Sequence, residues 1–144
     1  MMRPDLPVVY WDASAIVSVL TADAHHEQAR KWYENEAVHL LSTLCYAETL
    51  AVLLRLKREG FIGEEQLSKA CEALDSQPWR LVAIDPELED LKSLAVKWFL
   101  RGADLWHLAL TAALAREFPE IVLLTFDQKL RQAAEGEGLA GTTQ

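Results

Sequence analysis

The sequence has little cysteine and no sign of an export or membrane segment. Its 144 residues include only two cysteines, Cys45 and Cys71, and both fall in segments with a helical pattern. Such cysteines are typical of small buried side chains in a reducing compartment rather than of a disulfide framework. The N-terminal residues lack the apolar stretch of a signal peptide, and there is no run of about 18 uncharged apolar residues. We therefore expect a cytoplasmic protein without a membrane span.

The sequence also lacks an excess of positive charge. It has 14 lysines and arginines against 22 aspartates and glutamates, which gives a net charge of -8 at pH 7. This balance argues against a general affinity for nucleic acid, because that affinity depends on Lys and Arg side chains that neutralise phosphates. Local basic clusters still offer positive patches, with a solvated helix face as the alternative for each. The candidates are Arg30, Lys31, Arg55, Lys57, Arg58, Arg101, Lys129 and Arg131.

No internal repeat, low-complexity segment or long Pro/Gly/Ser linker divides the chain. A chain of this length suits one domain, which buries about 68–70% of its unfolded surface on folding. We predict a single domain over residues 1–144.

Four short apolar runs predict β-strands, and helical patterns lie between them. The predicted strands are 8–11, 38–41, 80–84 and 121–125, and the predicted helices are 14–21, 24–36, 43–59, 64–75, 87–101, 105–117 and 128–135. Asp85 and Pro86 mark the start of the fifth helix, and Gly60 and Gly102 mark the ends of the third and fifth. The strands are almost continuously apolar, which is typical of parallel strands covered on both faces. The alternation predicts an α/β fold with a central parallel sheet and helices on both faces.

Three aspartates stand where predicted helices begin. Asp12 ends the first strand and Asp127 follows the last, so a parallel sheet brings both to its carboxyl edge, where sites form in such folds. Asp104 precedes the sixth helix. For each of the three, capping of the helix that follows is the alternative interpretation.

Glu48 differs because it lies inside the third predicted helix, where a capping role is excluded. The residues three and four positions away are Leu44, Cys45, Ala51 and Val52, so the carboxylate projects along an apolar face. Such a carboxylate needs a partner, water or a cation. The alternatives are an ion pair with Arg55 or exposure to a polar cleft.

If these four acids converge, a positive group must lie among them. At about 5 Å and an effective dielectric constant of about 20, each ionised pair repels by roughly 3 kcal/mol. Oxygen ligands suit Mg²⁺ or Mn²⁺, and the chain has no Cys/His pattern for zinc. An ion held in this way orients and deprotonates water and neutralises charge on a phosphodiester oxygen.

The motifs resemble those of PIN-domain ribonucleases, and within that family those of the VapC-type toxins of toxin–antitoxin modules. The resemblance runs over nearly the whole chain, in the family's order. It is carried by Asp12-x-Ser14-Ala15, by Glu48, by Ala103-Asp104-x-x-His107-Leu108-Ala109 and by Thr125-x-Asp127-x-x-Leu130. Two features depart from it: the C-terminal GLAGTTQ, where many relatives continue into another strand, and the bulky Tyr10-Trp11 pair before Asp12.

The resemblance implies a PIN-like fold with a parallel sheet of four or five strands and an acidic pocket that holds Mg²⁺ or Mn²⁺. The implied function is hydrolysis of RNA phosphodiester bonds by the endoribonuclease toxin of a toxin–antitoxin pair. The implied partners are an RNA substrate, a cognate antitoxin protein and a second copy in a homodimer. The implied catalytic and metal-binding residues are Asp12, Glu48, Asp104 and Asp127, supported by Ser14 and Thr125. Whether one ion or two are bound stays open.

Two other functions remain as alternatives to the toxin. One is a catalytically silent interaction protein that keeps the fold, and the other is a nuclease that acts in RNA maturation or on DNA. His107 lies one turn after Asp104, so it contacts that carboxylate or a phosphate, or else it is a packing and hydrogen-bonding histidine. We favour the packing role and expect no metal bond from it.

Overall fold

The computed structural model describes residues 6–76 and 78–140, which form four strands and seven helices. The strands are β1 (Val8–Trp11), β2 (Val38–Ser42), β3 (Trp79–Val82) and β4 (Val122–Leu124). The helices are α1 (Ala13–Leu20), α2 (His26–Glu34), α3 (Thr43–Arg58), α4 (Glu64–Leu74), α5 (Leu88–Lys97), α6 (Gly102–Leu114) and α7 (Gln128–Gly136). Every predicted strand and helix has a counterpart.

All the strand pairs are parallel, in the order β3-β2-β1-β4. β1 is central, and alternate side chains of this strand enter different cores because successive residues of a strand face opposite ways. Val8 and Tyr10 pack with α5, α6 and α7, while Val9 and Trp11 pack with α1, α2 and α4. Helices on both faces therefore explain the unbroken apolar runs of β1, β2 and β4. β3 at the edge of the sheet is not covered in this way, since its Leu81 is 59% exposed. The predicted α/β fold is confirmed.

A fifth strand is absent from the described part of the chain. Leu139 instead contacts the open edge of β4, where its carbonyl accepts a hydrogen bond from the Leu123 N–H at 2.7 Å. The last four residues of GLAGTTQ lie outside the described residues.

The boundaries around α5 and α6 differ from the prediction. Gly60 ends α3 with a φ of +84°, as predicted, but Gly102 opens α6 instead of ending α5. α5 begins at Leu88, after Asp85 and Pro86, and ends at Lys97. Trp98 then leaves the helix and packs on the backbone of α7 at Gly136, a tertiary contact that the local sequence does not signal.

Both cysteines lie in helices as free thiols, as predicted. Trp11 is fully buried in an edge-to-face contact with Trp79, with ring centroids 4.9 Å apart. None of the described helices is long and apolar enough to cross a membrane.

The contact between Trp98 and Gly136 gives a test of the packing. A Cβ added at position 136 would lie 2.3 Å from Cη2 of the Trp98 ring, so Gly136→Ala should lower the free energy of unfolding by roughly 1–3 kcal/mol in urea denaturation. Gly102→Ala is the matched control, since a Cβ there has no neighbour within 4 Å. Equal stability of Gly136→Ala and the wild type would contradict this packing.

Candidate functional site

Asp12 stands at the carboxyl end of β1 and is almost fully buried, with 3% of its surface exposed. Its Oδ1 accepts hydrogen bonds from the Ser14 hydroxyl at 2.7 Å and from the Ala15 N–H at 2.9 Å. Its Oδ2 accepts one from the Thr125 hydroxyl at 2.5 Å. Oδ1 therefore caps α1, as the alternative interpretation proposed, while Oδ2 keeps one lone-pair direction for a further ligand.

The Ser14 and Thr125 hydroxyls tie the end of β4 to the start of α1. While each donates to Asp12, each also accepts from a backbone N–H that follows β4: Phe126 N donates to Ser14 and Asp127 N to Thr125, both at 3.0 Å. Two of these bonds, from Thr125 to Asp12 and from Phe126 to Ser14, join residues more than a hundred positions apart in the sequence. Together the two hydroxyls fix Asp12 on both of its oxygens.

Asp127 and Asp104 lie beside the same pocket but differ in their role in the helices. Asp127 caps α7, since its Oδ1 accepts the Leu130 N–H at 2.9 Å. Asp104 lies inside the first turn of α6, so the capping interpretation of Asp104 is wrong.

The pocket beside these two aspartates has a volume of about 220 Å³. Asp104 and Asp127 line it together with Arg101 and Lys129, which are both exposed. A larger groove of about 990 Å³ runs between α2 and β4 and contains none of the four candidate acids. The smaller pocket is therefore the better candidate for the functional site, because acidic and basic side chains lie side by side in it.

Glu48 forms its hydrogen bond with His107 and not with Arg55. Oε1 of Glu48 lies 2.6 Å from Nε2 of His107, across 59 positions of sequence. Within the described ranges Glu48 forms no ion pair with Arg55, so that alternative is wrong. His107 is the packing histidine that we favoured, although its carboxylate partner is Glu48 rather than Asp104.

The candidate acids interact through their charges. Burial raises the pKa of Asp104, the charge of Asp127 raises it further, His107 lowers it, and Glu48 adds to the increase. Burial also raises the pKa of Asp12, against the hydrogen bonds from Thr125 and Ser14. For Asp104 the raising effects of burial, Asp127 and Glu48 on the pKa outweigh the lowering effects of His107 and Arg101.

The side chains fit a hard divalent cation by their chemistry, because four carboxylates supply oxygen ligands and repel one another. Among the residues that the structure describes, however, no group of three or more His, Cys, Asp or Glu side chains is already arranged to hold a metal ion. The candidate ligands share one region without forming a closed cage.

Sequence reasoning missed the groups behind His107. Its Nδ1 lies 2.6 Å from the hydroxyl of Tyr10, which lies 2.7 Å from the Ser42 hydroxyl. The available signal was a polar hydroxyl in the otherwise apolar VVYW strand.

The chain is similar to proteins of a known family. The model of the PIN domain family matches residues 9–136. Ribonuclease VapC45 of Mycobacterium tuberculosis (strain CDC 1551 / Oshkosh) is 34% identical over 137 residues, which cover 92% of this chain and 93% of that protein. Ribonuclease VapC49 of strain H37Rv gives the same values. The crystal structure of M. tuberculosis VapC20, a sarcin-ricin loop cleaving toxin, matches with a TM-score of 0.58 at 20% identity and covers 94% of this chain and 99% of that one.

The raised pKa of Asp104 predicts a pH dependence of stability in the absence of metal. An acid with a raised pKa binds its proton more tightly in the folded state, so its stabilising contribution is complete below the unfolded pKa and is lost as the pH rises through the folded pKa. Asp104→Asn should therefore reduce the fall in the free energy of unfolding that begins as the pH rises above about 4, the unfolded pKa of an aspartate, and partial exposure of the side chain keeps this effect small.

Urea denaturation in EDTA measures this effect. Asp85→Asn is the matched control, because Asp85 is an exposed acid outside the site, and it should keep the wild-type pH dependence. An unchanged pH dependence in Asp104→Asn would contradict the charge interaction.

Proposed function

We propose that this chain, which belongs to the PIN-domain family and within it to the VapC-type ribonucleases, is a divalent-metal-dependent endoribonuclease and the toxin of a toxin–antitoxin pair. One observation carries the proposal. Asp12 is buried and held on both oxygens at the carboxyl edge of the sheet, and the burial raises its pKa. Asp104 lies within electrostatic reach of Asp127 and Glu48, so a cation would relieve their repulsion.

The four carboxylates would together act as the ligands of Mg²⁺ or Mn²⁺. Asp12 would ligate through Oδ2, while Glu48, Asp104 and Asp127 would complete the ligands directly or through water. Ser14 and Thr125 hold Asp12 in place by their hydroxyls. The bound ion would activate water and neutralise charge that develops on the phosphodiester oxygens.

The positively charged side chains beside the pocket supply the contact with RNA. Arg101 and Lys129 line the same pocket as Asp104 and Asp127, so they would hold phosphates on either side of the scissile bond. Hydrolysis then forms one bond from the oxygen of water to phosphorus and breaks the bond to the leaving oxygen. Local contacts of this kind allow an acidic protein to bind RNA.

Exposed apolar side chains support the proposed protein partners. Among the large hydrophobic residues, Phe99 is 92% exposed and Val96 is 84% exposed, and Leu88 and Phe61 are also mostly exposed. Such side chains suit contacts with a second copy of the chain or with the cognate antitoxin. The resemblance to VapC-type toxins implies the same partners and a site of action in the cytoplasm.

A second candidate function is a catalytically silent interaction protein with the same fold. It is favoured by the absence of a preformed metal-binding group among the described residues. A nuclease that matures RNA or cleaves DNA is a third, which shares the site and differs only in substrate. Incubation of the purified protein with mixed RNA and with DNA, in Mg²⁺, Mn²⁺ or EDTA, separates a nuclease from a silent protein and an RNA substrate from a DNA substrate.

Replacement of Asp12 tests the assigned chemistry. Asp12→Asn keeps the size of the side chain but removes its charge, so we expect RNA cleavage in Mn²⁺ to fall by roughly 100-fold or more while the circular dichroism spectrum stays unchanged. Asp85→Asn is the control and should cut RNA at the wild-type rate. Wild-type cleavage by Asp12→Asn would show that Asp12 has no role in the reaction.

The RNA contact is tested separately from cleavage by use of the inactive Asp12→Asn protein. Each of Arg101→Gln and Lys129→Gln should weaken RNA binding and reduce the slope of log affinity against log salt by about 1 if it removes one phosphate contact. Lys69→Gln is the control, since Lys69 is an exposed residue of α4 paired only with Glu65 among the described residues. Equal slopes for all variants, measured by fluorescence anisotropy, would exclude this pocket as the RNA contact.

A further inference from the structure

A chain of hydrogen bonds runs from the start of α3 through the core to the carboxylate of Glu48. The Cys45 N–H donates to the Ser42 hydroxyl at 3.1 Å, and the Ser42 and Tyr10 hydroxyls lie 2.7 Å apart. The Tyr10 hydroxyl lies 2.6 Å from Nδ1 of His107, whose Nε2 lies 2.6 Å from Oε1 of Glu48. The chain thus links β1, β2, α3 and α6.

One assignment of protons satisfies every member of this chain. A carboxylate only accepts, so we assign the donated proton to Nε2 of His107, and Nδ1 then accepts from Tyr10. Tyr10 in turn accepts from Ser42, which accepts from the backbone. The opposite direction would leave the Ser42 proton without an acceptor among the described residues. All the donors therefore point towards Glu48, and bonds arranged head to tail strengthen one another.

The middle of the chain is closed to water. Tyr10 and Ser42 are fully buried and His107 is nearly so, and burial raises the pKa of the Tyr10 hydroxyl, which keeps its proton. Water therefore does not replace a missing member of the chain, and loss of one hydroxyl leaves its buried partners unsatisfied.

Glu48 is the outer end of this chain of hydrogen bonds, and 30% of its side chain is exposed. A glutamate in this position would otherwise sample several rotamers, and a metal site loses affinity when its ligand must first be ordered. Among the described residues, His107 is the one side chain that forms a hydrogen bond with Glu48. It occupies Oε1 and leaves Oε2 as the free oxygen.

We propose that Tyr10 is a positioning residue of the acidic site: through His107 it fixes the Glu48 carboxylate in the orientation that binds the divalent ion. This inference rests on the proposed function, because it assigns Glu48 to the metal. It also gives a role to the bulky residue that stands in place of an aliphatic one before Asp12. Tyr10 itself touches neither the ion nor the RNA.

Tyr10→Phe tests the proposal, because it removes the hydroxyl and keeps the ring. Mn²⁺ binding is measured by isothermal titration calorimetry without RNA, and we expect an affinity roughly 10-fold weaker than wild type. The cleavage of RNA should show a lower kcat with an unchanged KM. Tyr46→Phe is the matched control, because the Tyr46 hydroxyl also donates a side-chain hydrogen bond, in its case to the Asp75 carboxylate outside the site. It should bind Mn²⁺ as the wild type does.

A double-mutant cycle shows whether Tyr10 acts through Glu48 or through general stability. In a Glu48→Gln background, Tyr10→Phe should have no further effect on Mn²⁺ affinity. The proposal is overturned if Tyr10→Phe binds Mn²⁺ within twofold of the wild type, or if its effect is equally large in the Glu48→Gln background. Should Tyr10→Phe not fold, His107→Gln and His107→Leu replace it. Gln keeps an N–H for Glu48 and should retain more affinity than Leu, and equal affinities would overturn the proposal.

These results separate the two proposals. If the wild type binds Mn²⁺ and Tyr10→Phe binds it more weakly, but no RNA is cut, the positioning role stands and the ribonuclease fails. If the wild type cuts RNA in Mn²⁺ and Tyr10→Phe matches it in both assays, only the positioning role fails. If the wild type binds no Mn²⁺, both fail.

Discussion

The hydrogen bonds to Asp12 are the interaction on which the site depends. They hold a buried carboxylate where β1 ends, and the same two hydroxyls hold the turn that carries Asp127 after β4. Since β1 and β4 are neighbours in a parallel sheet, one set of bonds aligns two acids that are distant in sequence. The fold therefore positions the site at the carboxyl ends of β1 and β4.

Asp104 shares this edge of the sheet with other acids whose charges act on it. Burial and neighbouring acids raise the pKa of Asp104. In the absence of a cation, holding these ionised side chains close together therefore lowers the free energy of unfolding. A cation that binds among like charges removes their repulsion and so stabilises the folded state. This repulsion is the physical basis of the metal dependence that we propose, and Arg101 and Lys129 line the same pocket.

Much of this organisation was predictable from the sequence, and the exceptions have physical causes. The apolar runs identified all the described strands, and parallel topology alone brought Asp12 and Asp127 to one edge. The PIN-like resemblance is confirmed by the family model and by the VapC relatives. The predicted end of the fifth helix at Gly102 was wrong, because Trp98 leaves the helix and packs on α7. The partner of Glu48 was missed because His107 is 59 positions away, whereas Arg55 is near in sequence.

The central claim is that Asp12, Glu48, Asp104 and Asp127 together hold a divalent cation. Anomalous diffraction at the manganese edge, from crystals of the wild-type protein grown with Mn²⁺, tests it directly. The account predicts a peak within coordination distance of carboxylate oxygens of this group, Oδ2 of Asp12 among them. No peak there, or one bound only by residues elsewhere in the molecule, would contradict it.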